Sequence, residues 1–286
     1  MITGKTKLLG VIGHPVEHSL SPVMHNAAIA HLGVDYVYLP LPVNSHDLAT
    51  ALAGFAAIGL QGFNVTIPHK QAIIPLLSET TAIAHAVGAV NTVWRHGALW
   101  CGTNTDVEGF LAPLHALNRH WSESIVTVLG NGGAARAVVA ACAELGCAQI
   151  YVVGRNLEKL QQFHASWNYC VATKLQVASW EELPQIIPQT SLLINTTPIG
   201  MYPHTNASPL TLDAMIQLPA AAIAYDLIYT PRPTQFLQHA EKLGLFTIDG
   251  VEMLVHQGAA ALKIWLQQPV PIEVMRQALQ QQLKQG

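Results

Sequence analysis

The chain has 286 residues, half of them apolar and only 11% charged, with a formal net charge of −3. No apolar stretch reaches the roughly 18–20 residues a membrane span needs, and no run of Lys or Arg could track a phosphate backbone, so neither a membrane nor a nucleic acid is an expected partner. Cys101, Cys142, Cys147 and Cys170 form no C-x-x-C pair and the 14 histidines show no metal-ligand spacing, so reduced thiols and no metal are expected.

At the N-terminus the short apolar run Leu8–Ile12 is too brief for a signal peptide; it reads as a first strand, and the cytoplasm is the expected compartment. Lys7–Ile12, Tyr36–Leu41 and Gly62–Ile67 read as strands, with helical spacing over Val23–Leu32 and Asp47–Ile58 between them. A helix is expected from Pro68 to about Leu77, and a hairpin from Val90–Arg95 and Leu99–Gly102 around His96–Gly97. Val107 to His120 reads as a connecting helix. A second unit follows, with strand Ile125–Leu129, glycine turn Gly130–Gly133, helix Ala134–Leu145 and strand Gln149–Val153. Leu192–Asn195, Ala222–Leu227 and Phe246–Asp249 read as further strands, and Ile272–Gln285 as a closing helix. Short apolar runs alternating with helical patterns predict an α/β chain with parallel strands.

Gly130-Asn131-Gly132-Gly133-Ala134-Ala135 fits G-x-G-x-x-A between a strand and a helix, the context of a dinucleotide site. Gly130 permits the tight turn, Gly132 lets backbone approach a pyrophosphate, and Ala135 allows close helix–sheet packing, with the phosphates at the positive end of the helix. An NAD site usually carries Asp or Glu at the end of the next strand to accept from the ribose 2′-hydroxyl. Here that strand ends in Gly154-Arg155-Asn156, and Arg155 with Lys159 could grip a 2′-phosphate, which predicts NADP.

Four polar islands stand at strand ends in the first third: His18–Pro22 (HSLSP), Asn64–Lys70 (NVTIPHK), Gly88–Thr92 (GAVNT) and Gly102–Asp106 (GTNTD). Their hydroxyls and amides suit a polyhydroxylated ligand at the edge where α/β sheets collect binding groups. Taken singly, Lys70 reads as a surface lysine and Asp106 as a helix N-cap.

These islands, with LGNGGAARA, INTTPIGM, YDLIYTPRPT and DGVEMLVHQGA after them, resemble the shikimate dehydrogenase family from Gly13 to Ala260. The resemblance implies two α/β domains: a mixed-sheet substrate domain, residues 1–106 completed by helices in 249–286, and a Rossmann-like doubly wound NADP domain, residues 107–248 with linker helix 107–120. It implies Ser19 and Ser21 on the substrate carboxylate, Thr66, Asn91, Asp106 and Gln257 on its hydroxyls, Tyr229 closing over it, and Lys70 with Asp106 as the catalytic pair. The cofactor would rest on Gly130, Asn131, Gly132, Gly133 and Ala134, on Gly154, Arg155, Asn156 and Lys159, with Leu227 and Gly250 near the nicotinamide. The family's usual Asn-Arg-Thr after the second cofactor strand is here Gly154-Arg155-Asn156, which keeps only the arginine. The implied reaction is reversible NADPH-linked reduction of 3-dehydroshikimate to shikimate, in aromatic amino-acid biosynthesis, by a monomer or homodimer without a metal. A quinate or dual-specificity dehydrogenase is the nearest alternative. A folate-linked NADP dehydrogenase and a non-catalytic nucleotide sensor are more distant, the latter disfavoured because Lys70 and Asp106 are both present.

Overall fold

The structure is a computed structural model that describes residues 2–167 and 169–285, without the side chains of residues 169 and 170. The chain divides into two compact units, one running to Gly109 and resuming at Leu254, the other Phe110–Met253.

In the first unit the elements are β1 (Lys7–Gly13), α1 (Ser21–Leu32), β2 (Tyr36–Pro42), α2 (Leu48–Ala57), β3 (Gly62–Val65), β4 (Glu79–Thr80), α3 (Ala82–Val87), β5 (Thr92–His96), β6 (Leu99–Thr103) and the start of α4 (Asp106–His115). The strands form one mixed sheet in the order β2-β1-β3-β5-β6-β4. β1 is parallel to β2 and β3, whereas the β5–β6 hairpin runs antiparallel to β3. Pro40 and Pro42 are tolerated in β2 because it is an edge strand, where a missing N–H breaks no ladder. One face buries Phe63, Leu48, Leu52, Ile73 and Trp100. Trp265, near the chain's C-terminal end, donates from its indole N–H to the Val93 carbonyl at 2.9 Å.

The second unit continues with β7 (Ile125–Leu129), α5 (Gly133–Glu144), β8 (Gln149–Gly154), α6 (Leu157–Ala165), α7 (Tyr169–Ala172), β9 (Leu175–Ser179), α8 (Leu183–Ile186), β10 (Leu192–Asn195), α9 (Leu212–Met215), β11 (Ile223–Asp226), α10 (Gln235–Lys242) and β12 (Phe246–Ile248). Its sheet is wholly parallel, in the order β12-β11-β10-β7-β8-β9. Read from β9 and numbered within the unit this is 3-2-1-4-5-6, the Rossmann order. Strands β7, β10 and β11 are mostly apolar and buried along nearly their whole length because a parallel sheet is covered on both faces. Two helices close the chain, α11 (Gly250–Leu266) and α12 (Ile272–Leu283). The α/β class, with one mixed and one doubly wound parallel sheet, is as the sequence predicts.

Some local expectations are corrected. The segment after Pro68 is no continuous helix but a series of turns with one 3-10 turn at Ile74–Leu76. Pro75 removes a helix donor there, and the Lys70 carbonyl accepts from the Val90 N–H at 2.8 Å. α4 stops at His115 rather than His120, its end tightened by the Leu117 N–H donating to the Leu114 carbonyl. Asp106 is no N-cap, since it already lies in the first turn of α4. Helices α3, α7, α8, α9 and α10 and strands β4 and β9 have no counterpart among the sequence expectations. Cys101, Cys142 and Cys147 are buried free thiols, and the expectation for Cys170 lies outside the described side chains. Among the described residues no helix is long and apolar enough to cross a membrane.

Candidate active site

The C-terminal ends of the first unit's central strands gather the polar islands. Thr66 follows β3, and its N–H donates to the Ile12 carbonyl of β1 at 2.9 Å. Ser19 and Ser21 occupy the loop and first turn after β1, with the Ser21 N–H donating to Ser19 Oγ at 3.3 Å. Asn91 precedes β5 and Asp106 follows β6, so the antiparallel hairpin returns both to the same edge.

Lys70 Nζ donates to Asp106 Oδ2 at 2.6 Å, with side-chain exposures of 20% and 8%. The lysine is therefore held by one buried carboxylate while part of it still faces solvent, leaving ammonium protons for a ligand oxygen. Asn91 Nδ2 donates to Asp106 Oδ1 at 2.8 Å and approaches Gln257 Oε1 at 3.5 Å. Gln257 in turn donates to the Leu254 carbonyl at 2.9 Å. Four of the expected substrate residues, Lys70, Asp106, Asn91 and Gln257, thus form one cluster.

Residues that sequence reasoning did not single out link this cluster to the sheet. Asn64, Thr92 and Thr105 are buried and hydrogen-bonded to one another or to Asn91. Tyr38 donates to Asn64 Oδ1 at 2.7 Å and stacks on His25 with centroids 4.1 Å apart. Asn64, Thr92 and Thr105 stand inside the quoted polar islands, where they could have been found. Tyr38 sits in the apolar stretch YVYLPLP and carries no such signal. His69 is fully buried, with Nε2 at 2.7 Å from the Val43 carbonyl, as befits a residue that shapes the turn.

In the second unit β7 runs into Gly130, whose φ of +102° only glycine adopts without strain. Thr196, at the end of β10, donates to the Leu129 carbonyl at 2.7 Å, so the glycine turn and the β10 loop meet where the strand order reverses. Gly132 caps α5 without a side chain, and a Cβ built on it would meet only open space. Asn131, Gly133 and Ala134 line the same turn, half-buried, above a twelve-residue helix whose first N–H groups no N-cap side chain accepts. Those features fit a pyrophosphate on free N–H groups.

Arg155 and Lys159 are exposed just past β8, with no carboxylate at the strand's end. Asn156 serves α6 directly: its Oδ1 accepts from the Lys159 N–H at 2.9 Å, an N-cap that fixes the start of the helix carrying Lys159. Gly154 packs so closely on Leu160 that a Cβ would lie 3.1 Å from it. Leu227 and Gly250 are neighbours, since a Cβ on Gly250 would lie 2.1 Å from the Leu227 carbonyl oxygen. Tyr229 is half-buried, and burial raises its phenol pKa. Met201 is exposed and Met253 buried.

The loops around β10 and β11 are held by Asp226. It accepts from Asn195 Nδ2 at 3.0 Å, the Ile228 N–H at 3.1 Å and Thr234 Oγ1 at 2.7 Å. Burial pushes its carboxyl up to about 6, against the opposing pull of those hydrogen bonds.

Residues 11–93 match the family described as the shikimate dehydrogenase substrate binding domain, 114–252 that of shikimate / quinate 5-dehydrogenase, and 250–280 that of the shikimate 5′-dehydrogenase C-terminal domain. A shikimate dehydrogenase (NADP(+)) of Trichormus variabilis is 63% identical over 286 residues, covering 99% of both chains. The chain belongs to the shikimate dehydrogenase family. Among solved structures, a shikimate dehydrogenase in complex with NADP+ superposes with a TM-score of 0.91 at 36% identity, over 99% of this chain and 98% of that one. The Listeria monocytogenes shikimate 5-dehydrogenase, in complex with shikimate and NAD, gives 0.88 at 34% identity, over 97% and 98%.

Proposed function

We propose that this chain is an NADP-dependent shikimate dehydrogenase that reversibly reduces 3-dehydroshikimate to shikimate. The observation that carries the reading is the Lys70–Asp106 pair, 2.6 Å apart at the edge of the first unit's sheet, with Asn91 on the same carboxylate and Gln257 beside it. The chemistry a nicotinamide cofactor would supply here is the gain or loss of a hydride. Lys70 meets the substrate oxygen, donating a proton as negative charge develops there during reduction and taking one back during oxidation. Asp106 holds the ammonium in place and accepts from a substrate hydroxyl. Ser19 and Ser21 take the carboxylate, with Thr66, Asn91 and Gln257 on the hydroxyls and Tyr229 covering the ring.

On the cofactor side, Gly130, Asn131, Gly132, Gly133 and Ala134 cradle the pyrophosphate. Arg155 and Lys159, positioned by Gly154 and Asn156, would take the 2′-phosphate, and Leu227 and Gly250 would stand by the nicotinamide. The buried free thiols at Cys101, Cys142 and Cys147 support a reducing compartment, and we place the enzyme in the cytoplasm.

The test is a two-by-two assay of shikimate or quinate with NADP or NAD, read by absorbance of the reduced nicotinamide. Turnover strongest with shikimate and NADP is expected. Faster turnover with quinate would move the assignment to the quinate branch, and turnover with NAD equal to NADP would remove the role given to Arg155 and Lys159.

A further inference from the structure

Five buried side chains of the first unit form a hydrogen-bond relay, its direction set by groups that can only donate or only accept; Thr92 also faces Thr105 Oγ1 at 3.1 Å, a side contact in which either hydroxyl can donate. Asp106 as a carboxylate can only accept, so the Asn91 atom at 2.8 Å from Oδ1 is the amide nitrogen. The other end of Asn91 agrees, because its Oδ1 receives the Thr105 backbone N–H, which can only donate, at 2.7 Å. Asn64 is fixed in the same way: its nitrogen faces the Asn91 carbonyl at 3.1 Å, an acceptor only. That nitrogen also donates to Thr92 Oγ1 at 3.1 Å, and Thr92 passes its own proton to Asn91 Oδ1 at 3.0 Å. Asn64 Oδ1 is left to accept, so the Tyr38 phenol must donate to it, at 2.7 Å. Burial keeps that phenol protonated, raising its pKa well above the usual value, against a hydrogen bond from Ser21.

We propose that Tyr38, Asn64 and Thr92 are positioning residues for the reaction, their one-way relay fixing the Asn91 amide and through it the rotation of the Asp106 carboxylate that presents Oδ2 to Lys70. The proposal rests on the reading of Lys70 and Asp106 as the reacting pair. Every donor in the relay points towards the carboxylate, so each bond polarises the next in the same sense. Each link is buried, so a missing one leaves a polar group that must find a new partner by turning. Without Thr92's hydroxyl the Asn91 side chain keeps its contacts to residues 105, 106 and 257, and Asn64 keeps the Asn91 backbone carbonyl but loses its link to the Asn91 side chain.

The experiment measures single-turnover oxidation of shikimate by NADP in Thr92→Val, Thr92→Ser, Tyr38→Phe and Asp106→Asn, with melting temperatures and the KM for NADP. Thr92→Val keeps the shape and removes the hydroxyl. It is expected to slow the reaction about tenfold, as misplaced catalytic groups do, with the KM for NADP unchanged. Thr92→Ser is expected to restore the rate to within about twofold of the parent, and Tyr38→Phe, at the far end of the relay, to lose about threefold. A purely structural threonine would lower the melting temperature without this rescue and without the split between rate and KM. If Thr92→Val fails to fold, Tyr38→Phe decides alone. Parental rates in Thr92→Val and Tyr38→Phe beside a slow Asp106→Asn would overturn the relay and leave the pair intact. A parental rate in Asp106→Asn would overturn both.

Discussion

At Asp106 each carboxylate oxygen has its own donor, Asn91 on Oδ1 and Lys70 on Oδ2. A carboxylate so divided cannot rotate without breaking one of the two, which is why a residue of an ordinary type at an ordinary helix start acquires a defined role. At position 155 the logic is simpler. Arg155 is exposed beyond β8 with no structural duty that would keep it there, whereas Asn156 beside it is committed to capping α6. Arg155→Ala is therefore expected to raise the KM for NADP about tenfold, the worth of one charge-assisted hydrogen bond, and to leave the KM for NAD nearly unchanged. Equal effects on the two cofactors in steady-state assays would show that the arginine does not read the 2′-phosphate.

Among the elements, the β7–turn–α5 unit separates two kinds of glycine. Gly130 has a positive φ, and a Cβ there would meet Thr196 Oγ1 at 2.9 Å, so Gly130→Ala should lower the melting temperature. Gly132 has φ −86° and open space around it, so the protein itself places no demand on glycine. Gly132→Ala is expected to keep the melting temperature and weaken NADP binding, measured by calorimetry, by about tenfold through loss of close backbone approach. Unchanged affinity in that variant would contradict the pyrophosphate site. This element was legible in the sequence because its constraint is local: a strand, a forced turn and a helix within thirty residues. The stretch after Pro68 was not, because its apolar spacing mimics a helix while its shape is set by distant partners, the Val43 carbonyl on His69 and the Val90 N–H on Lys70. Tyr38 escaped notice for the same reason. Its alternating apolar neighbours predict a strand correctly, and only the fold shows that its hydroxyl reaches Asn64.

For the whole molecule the two units carry opposite buried titrations. His25, in the first, is pushed down to about 4 by burial, opposed by hydrogen bonds to backbone carbonyls. Its contribution to stability is therefore full above pH 6.5 and is lost as the pH falls to about 4, roughly 3 kcal/mol in all. Asp226, in the second, is pushed up from 3.8 to about 6, so its contribution is full below pH 3.8 and is lost as the pH rises to about 6, again roughly 3 kcal/mol. Acidification from neutral towards pH 4.5 should thus weaken the first unit and strengthen the second. Hydrogen exchange at pH 4.5 is expected to show protection lost first in α1 and β2, around His25, with β11 holding; the reverse order would contradict these assignments.

The central claim is that the ammonium of Lys70 handles the proton at the substrate oxygen. Its most direct measurement is the single-turnover rate of shikimate oxidation in Lys70→Ala, with NADP affinity measured alongside. A fall of at least about a hundredfold is expected, the usual worth of a positioned acid–base group, with NADP bound as tightly as before. A rate within about threefold of the parent would contradict it.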